Sequence, residues 1–165
     1  MNFKKIIIAG LVLVPIFLVA NDLTAYKELV KEEVKELNKN IVKKINDEIY
    51  IDSIKYENDT VIYYYIANMK KLYKKGDKIV PWEKDSEAMY PQLKQTLKHG
   101  LGSMVIRKFS QNMCFNHDSR YIIKRGIPLR MRLSWKDSGE FVAGARLDEK
   151  TCLIYDKFNN DNRKF

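Results

Sequence analysis

The residues able to do chemistry are few, and they narrow the possibilities quickly. Cys114, in the stretch Asn-Met-Cys-Phe-Asn, and Cys152, in Glu-Lys-Thr-Cys-Leu, are the only cysteines. Joined, they form a structural disulfide. Left reduced and buried, they behave as two small hydrophobes. A third reading gathers Cys114, His117, Asp118 and Cys152 as metal ligands. It has a single Cys-x-x-His step to support it, and a disulfide would consume both sulfurs. The spacing alone does not choose among these readings; the compartment does.

Catalytic groupings are absent from the pattern. Only two histidines occur, His99 and His117. Gly100-Leu101-Gly102-Ser103-Met104 lacks the Gly-x-Ser-x-Gly spacing of a nucleophile elbow. No glycine-rich phosphate loop and no His-Glu-x-x-His occurs. Glu32 and Glu33 are adjacent on a predicted helix and point different ways, so they are not a carboxylate pair across a cleft. The expectation is a non-enzymatic protein with no cofactor and no metal.

Binding chemistry has more material. Arg130 and Arg132 share one face of a predicted strand, and Arg146 lies on its partner strand. Guanidinium forks recognise carboxylates and phosphates bidentately. The plainer alternative is that the arginines only keep a sheet face wet and discourage edge pairing. A second basic stretch carries Lys70, Lys71, Lys74 and Lys75, with Tyr73 and Trp82 close by. It suits an anionic polymer, lipid head groups or a partner protein, and a solvated loop equally. The chain carries a net charge of +9. Taking away Lys4 and Lys5 leaves +7, so the bias is not confined to the N-terminus. Richness in Lys, Asn, Ile and Tyr also fits an AT-rich coding bias, which weakens a functional reading of the charge.

The N-terminus speaks to the compartment. Met-Asn-Phe-Lys-Lys precedes an apolar run from Ile6 to Ala20, and the chain turns polar at Asn21-Asp22. A basic start, a short apolar core and a small residue at the boundary describe a secretory signal peptide, residues 1–20. Leu18 is large for its place before the cut. An uncleaved anchor is the alternative, although the run is shorter than the ~20 residues a bilayer needs. Export predicts a periplasmic or secreted protein, where Cys114 and Cys152 pair. The bridge closes a loop of 38 residues, worth about 4 kcal/mol in the chain-entropy model. Cytoplasmic nucleic acid is not an expected partner.

The elements that must position these residues follow from periodicity. Leu23, Tyr26, Val30, Val34, Leu37 and Ile41 recur at helical steps. Strands are predicted over Glu48–Tyr56 and Thr60–Asn68, separated by a turn at Glu57-Asn58-Asp59. The second strand is apolar on both faces, as in a central strand. A long helix is predicted from about Ser86 to Asn112, on Leu97, Leu101, Val105 and Phe109. Gly100 and Gly102 either break it or mark close packing on a sheet. Ile127–Trp135 and Glu140–Leu147 alternate as a second hairpin, with Phe141 on the face opposite Arg146.

The result is an α+β domain over residues 21–158 with a polar tail at 159–165. It is a two-layer helix-strand-strand pseudo-repeat, with a mostly antiparallel four-stranded sheet and helices packed on one face. This outline, with its Tyr63-Tyr64-Tyr65 strand, a long helix ending in Cys114 and a hairpin ending at Cys152, resembles small exported bacterial α+β proteins with one cysteine pair. Most of those are uncharacterised. Similar layouts occur among envelope and secretion-system accessory proteins. The resemblance implies fold and compartment and carries over no functional residue. The functional expectation is an accessory protein binding another envelope or secretion-system component. The alternatives are a binder of anionic lipid or polysaccharide through the basic face, or an inhibitor or immunity protein against a secreted enzyme, using residues 69–85.

Overall fold

A computed structural model of the chain describes residues 22–41, 48–68 and 86–161. Among these, α1 spans Leu23–Asn40, β1 Ile49–Glu57, β2 Thr60–Ala67, α2 Ser86–Phe115, α3 His117–Lys124, β3 Leu129–Trp135, β4 Phe141–Leu147 and α4 Glu149–Asp161. The four strands form one sheet in the order β1-β2-β3-β4. The two hairpins are antiparallel and meet along a parallel β2–β3 seam. The α+β, mostly antiparallel architecture expected from the sequence is therefore present.

Each element has a local cause. Asp22 caps α1 by accepting from the Thr24 N–H at 2.9 Å. Tyr26, Val30 and Val34, four residues apart, bury one stripe of that helix in the core. Asn58 and Asp59 turn β1 into β2 with φ of 49° and 55°. Two consecutive left-handed residues make the hairpin turn that matches strand twist, and Asn and Asp tolerate it best after glycine. Asp59 also reaches α1, accepting from Lys27 Nζ at 2.6 Å.

α2 runs unbroken through Gly100 and Gly102. Gly102 is there for packing: a Cβ at that position would sit 3.0 Å from the Cβ of Ala143 on β4. Leu101, Val105 and Phe109 are buried on this helix. The Phe109 ring meets Tyr63 and Tyr65 edge-on at 5.5 and 6.1 Å. α3 is capped by Asn116, whose side chain accepts from Ser119 N–H at 2.9 Å. It ends in a Schellman motif: Gly126 N–H donates to Ile123 O at 3.0 Å and Ile127 N–H to Ile122 O at 3.3 Å. Gly126 supplies the φ of 82° that this motif needs.

One element was not expected. Cys152 lies on α4, where the sequence pattern points to a hairpin end followed by a polar tail. Cys114, near the end of α2, is bonded to it, with the Cα atoms 5.2 Å apart. Arg120 on α3 and Asp156 on α4 add an ion pair at 2.6 Å. The second half of the pseudo-repeat thus carries two helices that the first half has no counterpart for among the described residues. The core lies on the helix side of the sheet: Val61, Tyr63 and Ala67 of β2 and Leu129, Met131, Leu133 and Trp135 of β3 are all at most 1% exposed.

Candidate binding face

Strand alternation sends the other half of each strand outward. The registers align these outward residues into three rows across the sheet. One row reads Lys55, Ile62, Arg130, Arg146. The next reads Ser53, Tyr64, Arg132, Gly144. The third reads Tyr50, Ile66, Ser134, Phe141. The three arginines singled out from the sequence therefore share one face. They line a concavity of about 450 Å³ with Ile62, Tyr64, Phe141 and Gly144, all from β2, β3 and β4.

Phe141 was expected on the opposite side from Arg146. A β-bulge, with the register shifting between Leu133 and Ser134, reverses the phase at the start of β4. Val142 is drawn inward to 6% exposure and Phe141 joins the arginines at 48%. Its ring lies over Gly144, where an added Cβ would come within 3.3 Å of ring atoms. The Arg132 guanidinium stands over that ring at 5.7 Å. At the rims, Lys55 lies 5.2 Å over Tyr64 and Lys136 6.0 Å over Tyr50.

The electrostatics of this face are one-sided. Among the described residues no Asp or Glu lines the concavity. Among the described residues no carboxylate is in an ion pair with Arg130, Arg132 or Arg146. Lys55 has a partner in Glu57 at 3.7 Å. Asp148, just beyond β4, has its carboxyl held below the ordinary range chiefly by two hydrogen bonds from Thr151, and Arg146 contributes less.

The other sequence candidates fall elsewhere. Lys70, Lys71, Lys74, Lys75, Tyr73 and Trp82 lie outside the described residues, as do residues 1–20. The metal reading fails at its sulfurs, since Cys114 and Cys152 are bonded to each other, and His117 points its ring into solvent at 94% side-chain exposure. Among the described residues no three His, Cys, Asp or Glu converge as metal ligands. Within the same residues no helix is long and apolar enough to cross a membrane. Three large apolar residues that neighbour the bonded cysteines in sequence, Phe115, Leu153 and Ile154, are each about half exposed.

Fold and face together describe a disulfide-stapled α+β domain with one sheet face under helices and the other cationic, aromatic and covered by no described helix. Two solved structures share this fold. A crystal structure of a candidate secreted protein from Pseudomonas aeruginosa is 16% identical, with a TM-score of 0.54 over 79% of this chain and 92% of that one. The pilotin EpsS of the Vibrio vulnificus type 2 secretion system is 12% identical, with a TM-score of 0.50 over 81% of this chain and 97% of that one. At these identities the likeness is one of fold. No protein-family model matches the chain, and no curated protein does.

Proposed function

We propose that this chain is an exported, non-enzymatic accessory protein that holds a protein component of the envelope or of a secretion machine against its open sheet face. The observation that carries this reading is the face itself. Three arginines and an exposed phenylalanine are gathered over a concavity that no described helix covers, the mixture of aromatic and arginine anchors on which protein interfaces rely. The fold shared with a type 2 secretion pilotin and with a candidate secreted protein supports the same direction. So does the disulfide, which belongs to an oxidising compartment. In this reading residues 1–20 act as the export signal.

The test is photo-crosslinking in living cells, with a photoreactive residue at Phe141 and, separately, at Leu153 on α4. A single envelope protein captured from position 141 and not from 153 is the expected result. No protein adduct at 141, or equal capture at both positions, overturns the reading. A lipid or polysaccharide adduct at 141 favours the alternative of an anionic polymer or membrane ligand.

A further inference from the structure

The outward rows hold an arrangement that folding alone does not favour. Arg130 and Arg146 are directly opposed across β3 and β4. Cross-strand partners stand about 4.5–5.5 Å apart at Cα, and like charges there repel. No described carboxylate is paired with either. The next outward residue of β3, Arg132, is about 6.4–6.8 Å further along. Its guanidinium stands over the Phe141 ring, which packs close against Gly144, where a Cβ would press on it at 3.3 Å. One cationic pair and one pre-set cation therefore lie a two-residue strand step apart, with Ile62 and Phe141 as apolar floor.

That spacing is the repeat of an extended peptide, whose alternate side chains also fall on one face about every 6.4–6.8 Å. Arginine forks match carboxylates in geometry as well as charge. From this we infer that the open face binds an acidic, extended segment of the partner protein. One carboxylate bridges Arg130 and Arg146, and a second, two residues along, meets Arg132. The inference rests on the partner-binding reading above and names the chemistry of the partner. Lipid head groups carry the charge but no fixed repeat, and a concave face is poorly shaped to lie on a bilayer.

The experiment uses the protein purified from exporting cells and three labelled peptides, read by fluorescence anisotropy. Ser-Val-Glu-Val-Glu-Val-Ser alternates its two carboxylates, Ser-Val-Glu-Glu-Val-Val-Ser blocks them as neighbours with none two residues apart, and Ser-Val-Gln-Val-Gln-Val-Ser has none. The alternating peptide is expected to bind several-fold tighter than the blocked one, and the neutral peptide not to bind. Arg130→Gln with Arg146→Gln should weaken the alternating peptide about tenfold or more, and Arg132→Gln by a smaller factor. The same double variant, without peptide, should melt at a higher temperature, because the opposed charges are gone; this also shows that the variant folds. Equal binding of blocked and alternating peptides overturns the inference by reducing the face to an unspecific basic patch. Unchanged affinity in the variants, a lowered melting temperature, or binding to phosphatidylglycerol vesicles in place of peptide also overturns it. Phe141 crosslinking to a protein partner can succeed while all three peptides fail, so the two readings fail separately.

Discussion

Replacing Cys114 and Cys152 together by alanine tests the staple that holds α4 to the end of α2. The bridge links residues 38 apart. Closing a loop of that length removes about 13 cal/mol/K of entropy from the unfolded chain, or about 4 kcal/mol at room temperature. For a domain of this size each kcal/mol moves the melting temperature by about 2–4 °C, so a fall of about 8–16 °C is expected. Both cysteines are almost fully buried, so the alanines also remove packing. Reducing the unmodified protein leaves the sulfur atoms in place and isolates the tether. The informative measurement is thermal unfolding by circular dichroism of the unmodified protein and the double variant, each with and without reductant. Reductant should lower the first by most of the gap and leave the second unchanged. A gap worth less than about 1 kcal/mol would refute the tether argument. So would two free thiols titrated in the denatured, unreduced protein after export.

The remaining predictions concern single contacts. The Asn38 side chain accepts from the Ile54 N–H at 2.9 Å and donates to the Ile54 carbonyl, so Asn38→Ala should cost about 1–2 kcal/mol in urea unfolding and increase self-association through the bared β1 edge. The Tyr63 hydroxyl is fully buried without a hydrogen-bond partner among the described residues, and burial pushes its pKa well above the usual tyrosine value. Tyr63→Phe should therefore be neutral or stabilising by up to about 2 kcal/mol, and a clear loss would mean that the hydroxyl is paired. Gly100→Ala meets open space and should gain about 0.5–1 kcal/mol, whereas Gly126→Ala, at φ 82°, should lose about 1 kcal/mol; equal effects in a melt would sink the contrast. The Lys27 hydrogen bond, with help from Tyr56, holds the Asp59 carboxyl below its ordinary value. A depressed folded pKa contributes stability that is present above the unfolded value near 4 and disappears as pH falls through the folded one. Lys27→Met should flatten that acid limb below about pH 4, read from urea midpoints against pH.

How much of this was legible differs from element to element. β3 was readable because its alternation is strict: four apolar residues face the core and Arg130 and Arg132 face out. α2 was readable from the four-residue recurrence through Leu101, Val105 and Phe109, and the two glycines that argued for a break were outweighed by packing of Gly102 on Ala143. α4 was not readable because it has almost no apolar stripe; among its described side chains Cys152 is the one that is fully buried. A cap signal was present, with Asp148 accepting from the Thr151 N–H at 2.9 Å and its hydroxyl at 2.8 Å. The three arginines could be placed on one face by counting. Their opposition across the strands, and the arrival of Phe141 among them, depend on the register and on a bulge that strand periodicity does not encode.

The parallel seam between the hairpins carries a consequence for biogenesis. Every β2–β3 pair joins residues 68 positions apart, from Val61 with Leu129 to Ala67 with Trp135. Each hairpin closes locally, while this join must wait until the whole intervening chain has emerged and collapsed, which makes it the slow, non-local event of folding. Until then β2, apolar on both faces, presents an unpaired edge to any other unfolded chain nearby. The newly made chain is therefore most vulnerable to misassembly in that interval, and a holdase that masks Tyr63–Ile66 would raise its yield without altering its final stability.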